Sequence, residues 1–212
     1  MDNPDIVIYA ELDKLFLRLG FSLTFNFPLH RRRYRKYIHP SMLNPIIASA
    51  LCYLAEVDKR IKILDPFCGS GTILIECKNI NPKCSCYGYD IDPTHVNGAR
   101  QNALEANIED IYFGISDICE ISYHEPVDAI ITNPPFGIRE KAIGGVYKVY
   151  KCLFNLAESV LKENGVFVLI TPRRKIIKKL IEEYGKDFYL VKDIEIYEGG
   201  LSSTIYVFRK VL

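Results

Sequence analysis

Val127-Asp128-Ala129-Ile130-Ile131-Thr132-Asn133-Pro134-Pro135-Phe136-Gly137 is an apolar run that ends in an amide, two prolines, an aromatic and a glycine. A short β-branched run bounded by breakers reads as a buried strand. The prolines supply no backbone N–H, so the chain cannot go on pairing and must turn out at the strand's carboxyl edge. The Asn133 side-chain carbonyl and the backbone carbonyls beside it then face a crevice, with the Phe136 ring next to them. Taken alone, the stretch also fits a plain strand-ending turn with a packed phenylalanine. Its neighbours decide between the two.

On both sides the same pattern recurs. Ile61-Lys62-Ile63-Leu64 leads into Asp65-Pro66-Phe67-Cys68-Gly69-Ser70-Gly71-Thr72 and a helix through Ile73, Leu74 and Cys77. Cys86-Tyr87-Gly88-Tyr89 ends at Asp90, and Asp92-Pro93 opens a helix to about Ala106. Ile111 to Ile115 is a third run, ending at Asp117. Beyond the central stretch come a helix from about Val146 to Leu161, a strand from Gly165 to Ile170 and a helix from Ile176 to Tyr184. Two final strands, Phe188 to Tyr197 and Thr204 to Val211, flank a turn at Gly199-Gly200. Strands alternating with helices predict an α/β fold, a mostly parallel sheet with helices on both faces. The short last connection predicts an antiparallel final strand.

With 212 residues, 49% of them hydrophobic, the chain can build one sizeable core, a main domain with an appendage. A net charge of +1 means that any affinity for nucleic acid comes from local patches. No apolar run approaches the roughly 18 to 20 residues that span a bilayer, and no leading segment resembles a signal peptide, so no membrane partner is expected. The seven cysteines, 52, 68, 77, 84, 86, 119 and 152, include no Cys-x-x-Cys. Cys84 and Cys86 are the nearest thing to a metal pair, but on a strand they simply share a face; no metal site is expected. Buried thiols in a reducing cytoplasm are.

Residues 1 to 29 read as extended structure, with short strands at Ile6 to Tyr9 and Phe16 to Leu19 and strand-period alternation over Phe21 to Phe27. There follows a basic run with interleaved tyrosines, His30-Arg31-Arg32-Arg33-Tyr34-Arg35-Lys36-Tyr37. It reads either as a solvated surface or as phosphate contacts with base or sugar packed on tyrosine. A second basic run is Arg173-Arg174-Lys175 with Lys178-Lys179, near the carboxyl edge of the fifth strand of the series; lysines on a helix face are also commonly just solvated. Asn44 caps a helix with Pro45 at its first position, and Ile46, Ile47, Ala50, Leu51 and Leu54 form its apolar stripe.

Four successive strands thus end in Asp65, Asp90, Asp117 and Asn133, polar side chains that converge where open α/β sheets bind ligands. The loop after the first lacks a Gly-Lys-Ser/Thr ending and the third glycine of the dinucleotide fingerprint. Asp65 would repel a pyrophosphate but welcomes an ammonium and a sulfonium. Asp90, roughly 20 to 25 residues on, stands where an acid takes ribose hydroxyls. Asp117 with the Ile118 backbone suits the amino group and ring edge of adenine. Asn133 and the Pro134 carbonyl suit the hydrogens of an exocyclic amine, and Phe136 the flat base that carries it. His95 and His124 fall at helix starts and loops, where a surface place is the simpler account, so no catalytic histidine is expected.

The motifs at 65–72, Gly-Tyr-Asp-Ile-Asp at 88–92, Ser-Asp-Ile at 116–118 and Asn-Pro-Pro-Phe-Gly at 133–137 together resemble the ordered motifs of Rossmann-like S-adenosylmethionine-dependent amino methyltransferases. Within these the chain is most similar to the N2-guanine RNA methyltransferases that carry an N-terminal THUMP domain. The likeness runs from Pro4 to the C-terminus and includes Leu29 to Arg35 and His39-Pro40-Ser41-Met42-Leu43-Asn44-Pro45. It implies a cytoplasmic enzyme of tRNA processing that methylates a guanine N2 in RNA, above all at position 6 of the tRNA acceptor stem. Position 10 of tRNA and ribosomal RNA guanines stay open. So do an N6-adenine DNA or glutamine methyltransferase, which share Asn-Pro-Pro-Phe, and a non-catalytic RNA-binding partner. It further implies cofactor contacts from Asp65, Gly69, Ser70, Gly71, Asp90, Asp117, Ile118 and Asn133, with His39, Pro40, Ser41, Met42 and Leu43 lining the methionine end. Asn133, Pro134 and Phe136 would carry the chemistry, and Arg31, Arg32, Arg33, Arg35, Lys36, Arg173, Arg174 and Lys175 would meet RNA. The expected division is a connector over 1–38 and a methyltransferase domain over 39–212. The THUMP domain is missing ahead of it, so RNA capture is expected to need an upstream domain or a separate subunit.

Overall fold

The computed structural model describes residues 6–22, 28, 30–121, 123, 125–137, 145–198 and 200–211. They fall into two compact units, Met1–Arg32 and Arg33–Leu212. The first is an antiparallel hairpin of β1 (Ile8–Leu12) and β2 (Leu17–Phe21), closed by reciprocal backbone bonds between Asp13 and Phe16. Pairing Leu12 with Leu17 sets the register, and the strands begin two residues and one residue later than the expected Ile6 to Tyr9 and Phe16 to Leu19. Every strand residue is exposed, so the hairpin has no buried face of its own. The strand expected up to Phe27 falls at 23–27 outside the described residues.

The second unit begins with α1 (Pro45–Leu54), whose Asn44 side chain accepts the Ile46 N–H at 3.0 Å, the expected cap. Of the expected stripe, Leu51 is buried and Ile47 and Leu54 pack on the core, while Ile46 and Ala50 are exposed; Ala48, Cys52 and the cap residue Ala55 complete the packed face. Positions 48, 51, 52 and 55 hold the small and medium side chains that let the helix lie close on the sheet.

Next come β3 (Lys62–Asp65), α2 (Thr72–Ile80), β4 (Ser85–Asp90), α3 (Pro93–Glu105), β5 (Ile111–Ile115) and β6 (Val127–Thr132). The chain closes with α4 (Val146–Val160), β7 (Leu161–Thr171), α5 (Arg174–Tyr184), β8 (Phe188–Glu198) and β9 (Leu201–Lys210). The sheet order is β5-β4-β3-β6-β7-β9-β8, with β9 antiparallel to both neighbours and the other pairs parallel. The last strand of the chain is therefore the antiparallel one, but it is inserted inside the sheet and leaves β8 at the edge.

Successive strand residues face opposite sides. Ile63, Cys86, Ala129, Ile131, Val166 and Val168 meet α1, α2 and α3; Leu64, Ile130, Phe167, Leu169 and Phe208 meet α4 and α5. β7 is longer than expected because it starts directly after α4, with Leu161 already paired to Val127 ahead of a register shift.

The expectation of thiols throughout is corrected at one pair. Cys119, just after β5, and Cys152 on α4 form a disulfide with Cα atoms 5.1 Å apart, because Ile118 packs among the α4 side chains and brings its neighbour there. The other five cysteines are free and buried. Among the described residues, no three His, Cys, Asp or Glu side chains group as metal ligands, and no helix is long and apolar enough to cross a membrane.

Candidate active site

β3 is flanked by β4 on one side and β6 on the other, so the strand order reverses there and opens a crevice at the carboxyl ends. Asp65 closes β3 on its floor, 1% exposed. Its Oδ1 accepts the Thr132 hydroxyl at 2.7 Å and the Phe67 N–H at 3.1 Å. Its Oδ2 is buried with no partner, and so is Oδ1 of Asn133, one residue beyond Thr132. Burial pushes the Asp65 carboxyl up to about 7, against the pull of Thr132 and the Phe67 N–H, and nearby Asp90 adds to the rise. Burying an acceptor without a donor is costly. Two such oxygens at the ends of neighbouring strands suit a cation and an N–H. Pro134 is buried and Phe136 half-buried beside them.

Asp90 ends β4 and organises the glycine loop. Its Oδ2 accepts the Gly69 N–H at 2.9 Å and its Oδ1 the Asp92 N–H at 3.0 Å. Oδ2 keeps a lone pair for a hydroxyl, while Oδ1 also faces His95 Nδ1. Gly69 and Gly71 have positive φ, 51° and 77°. A Cβ at Gly71 would come within 3.1 Å of the Ala99 Cβ, and one at Gly69 within 3.1 Å of His39 Nε2. The glycines are thus already needed for internal packing. Ser70 is 2% exposed, with its hydroxyl 3.0 Å from that of Thr72, so its side chain belongs to the inside of the loop. Asp117 is half-buried and accepts the Cys119 N–H at 2.8 Å, with Ile118 buried next to it.

His95 does not have the surface place expected of it. It is half-buried, its Nδ1 lies 3.4 Å from Asp90, and its ring stacks on His39 with centroids 4.4 Å apart. The cause is the Asp92 cap, which places His95 one turn into α3 above the glycine loop. His124 lies outside the described residues. Of the expected methionine-end segment, His39 is the member placed at the loop. The Met42 sulfur lies 2.8 Å from a guanidinium nitrogen of Arg35, Leu43 packs on the core, and Pro40 is exposed with Ser41 half-buried.

The first basic run is a strap held by its tyrosines, which corrects the idea that they pack against base or sugar. Tyr34 is buried and donates to Glu76 at 2.7 Å; the Tyr37 ring lies where a Cβ on Gly98 would be, 2.1 Å away. Asn102 fastens the strap. Its Oδ1 accepts the N–H groups of Lys36 and Tyr37 at 2.9 and 2.8 Å, and its amide donates to the carbonyls of Tyr37 and Ser70 at 3.1 and 3.0 Å. Arg33 and Lys36 are exposed, Lys36 at 3.8 Å from Glu105. Arg31 and Arg32 belong to the N-terminal unit.

The second run divides. Arg173 is half-buried and its Nε donates to the Phe136 carbonyl at 2.6 Å. Arg174 is exposed and paired with Glu195 at 2.6 Å, and Lys175 is exposed. Sequence reasoning missed Asn102, Thr132, Glu76 and His95. Three of them carry a readable signal, a polar residue in an apolar register: Asn102 among Val96, Ala99 and Ala103, Thr132 at the end of a buried strand, Glu76 between Ile75 and Cys77.

Comparison with known proteins agrees with this geometry. Residues 32–200 match the family UPF0020, described as an RMKL-like methyltransferase domain. The chain is 29% identical, over 98% of its length, to the tRNA (guanine(6)-N2)-methyltransferase of Archaeoglobus fulgidus, of which the alignment covers 59%. It is 35% identical, over 70% of its length, to the tRNA (guanine(10)-N2)-dimethyltransferase of Methanothermobacter thermautotrophicus, of which 44% is covered. The crystal structure of TrmN from Thermus thermophilus superposes with a TM-score of 0.83 at 28% identity, over all of this chain and 61% of that one. The chain therefore spans between 44% and 61% of the length of these relatives.

Proposed function

The chain belongs to the RMKL-like methyltransferase-domain family, and from that premise we propose that it transfers a methyl group from S-adenosylmethionine to the N2 amine of a guanosine in tRNA, at position 6 of the acceptor stem. The observation that carries the reading is the pair of buried, unpartnered oxygens, Asp65 Oδ2 and Asn133 Oδ1, at the switch point. A ligand with an ammonium group suits the first and an exocyclic amine the second. When bound, S-adenosylmethionine supplies a methyl group on a positively charged sulfur.

The chain's own residues do the rest by placement. Asp65 neutralises the amino-acid end, and Asp90 offers its Oδ2 lone pair to a ribose hydroxyl. Asp117 and the Ile118 backbone take the adenine edge. The guanine amine lone pair is delocalised into its ring, so it needs orientation more than a strong base. Asn133 Oδ1 and the Pro134 carbonyl accept its hydrogens, and Phe136 stacks the extruded base. As the N–CH3 bond forms the S–CH3 bond breaks, the leaving group is the neutral thioether S-adenosylhomocysteine, and N2 gives up one proton to solvent. Orientation of this kind is worth up to roughly 7 to 11 kcal/mol.

Position 6 is favoured because the position-6 relatives of Archaeoglobus fulgidus and Methanocaldococcus jannaschii align over 98% and 97% of the chain. Position 10 is the second reading, supported by the higher identity over a shorter stretch. A cytoplasmic site of action, and capture of the tRNA by a further domain or subunit, are part of the proposal. The test is incubation with methyl-labelled S-adenosylmethionine and tRNA, DNA or protein, followed by mass spectrometric mapping. Label in N2-methylguanosine at position 6 supports the reading; label in DNA or protein alone refutes it.

A further inference from the structure

The Asn133-Pro134-Pro135-Phe136 turn has an unusual difficulty. Two of its residues have no N–H, so the turn cannot be tied down by donating backbone bonds and needs a donor from elsewhere. Arg173 supplies one. Its own N–H donates to the Thr171 hydroxyl at 3.0 Å, and that hydroxyl lies 2.6 Å from the Tyr150 hydroxyl; both partners are fully buried. From this fixed base the side chain reaches back to the Phe136 carbonyl at 2.6 Å through Nε. On the far side Gly137, at φ 67°, is closed in by Val146, whose Cγ2 would lie 2.2 Å from a Cβ there; Arg173 Nη2 would lie 3.7 Å from it. The turn is held between the start of α4 and this guanidinium.

We propose that Arg173 is a positioning residue for the acceptor base, setting Asn133 and Phe136 through the Phe136 carbonyl, rather than a contact to RNA phosphate. This rests on the reading that the turn holds the base. Neighbouring Arg174 and Lys175, exposed on α5 and expected to meet RNA phosphate, have no such bond among the described residues; they give the comparison for a phosphate contact, with tRNA affinity and salt slope lowered and the saturated rate kept.

The test uses the full chain with Arg173→Lys and Arg173→Gln, and an Arg174→Gln/Lys175→Gln control. S-adenosylmethionine affinity is measured by calorimetry, single-turnover methylation at saturating tRNA, and tRNA affinity against salt. A displaced base-holding turn predicts a rate lower by about 100-fold in both variants, Lys included, because lysine has a methylene where arginine carries the Nε–H that meets the carbonyl. Cofactor affinity stays within about threefold and the salt slope of tRNA binding is unchanged. A phosphate contact would instead leave the saturated rate intact, weaken tRNA binding and lower the slope by about 0.9, which overturns the proposal. So does a rate loss that Lys restores, which would make charge alone the requirement. If Arg173→Gln fails to fold, Arg173→Lys decides by the same criteria. Wild-type protein that binds cofactor but labels no guanine N2 refutes the functional reading instead of this one.

Discussion

Asp65 offers the sharpest test of the proposed cofactor contact, because its carboxyl is pushed toward neutrality in the fold. Burial raises it from 3.8 to about 7. Between those values the folded state keeps a proton that the unfolded state releases, so this group stabilises the fold at low pH. That contribution is lost as pH rises through about 7, by up to about 4 kcal/mol. A ligand ammonium beside Oδ2 needs the carboxylate, so binding expels the proton.

With the ligand's amino group still protonated below about 7.7, the dissociation constant should tighten about 50-fold from pH 5 to pH 7. Near pH 6 about 0.9 of a proton should leave per ligand bound. Calorimetry in buffers of different ionisation enthalpy reads that number directly. Asp65→Asn keeps the acceptor for Thr132 and the Phe67 N–H, and should flatten the profile and abolish the proton release. S-adenosylhomocysteine, which keeps the amine and lacks the charged sulfur, should show the same slope. An affinity that is level from pH 5 to 7, or a slope that survives Asp65→Asn, refutes the ammonium assignment.

Other perturbations probe the surroundings. Asn133→Ala should lower the methylation rate at least about 100-fold while cofactor affinity moves only a few fold, as single-turnover assays and calorimetry will show. Asn102→Ala strands the four backbone groups it now bonds, and should cost about 2 to 4 kcal/mol in urea unfolding, since part of the strap can reach water. Reducing Cys119–Cys152, which closes a sequence separation of 33, should lower stability by up to about 4 kcal/mol and weaken cofactor binding through Asp117. Thermal melts with and without reductant check the first effect, and Cys152→Ser should reproduce both.

What the sequence made legible is what period and punctuation control. The strand ends at Asp65, Asp90 and Thr132, the caps at Asn44 and Asp92 and the helices between them follow from local chemistry. Long-range choices did not show. That β9 enters between β7 and β8 depends on which edge its hairpin meets, and the disulfide depends on a packing contact between separated segments. The charged runs mislead most, because composition reports charge and not attachment. Arg173 sits in a run of five cationic side chains over 173–179, yet it is spent on a carbonyl two prolines downstream of Asn133.

The same holds for Tyr34 and Tyr37, whose rings look available in the sequence and are used inside the fold. Their anchoring has a consequence for the site. Through Asn102 the strap is bonded to the Ser70 carbonyl, and through Gly69 the glycine loop is bonded to Asp90. The backbone that carries Arg33, Arg35 and Lys36 and the loop expected to embrace the cofactor are therefore one hydrogen-bonded body. A pull on the strap would reach Asp90 through the Asn102 side chain and the Gly69-Ser70 backbone.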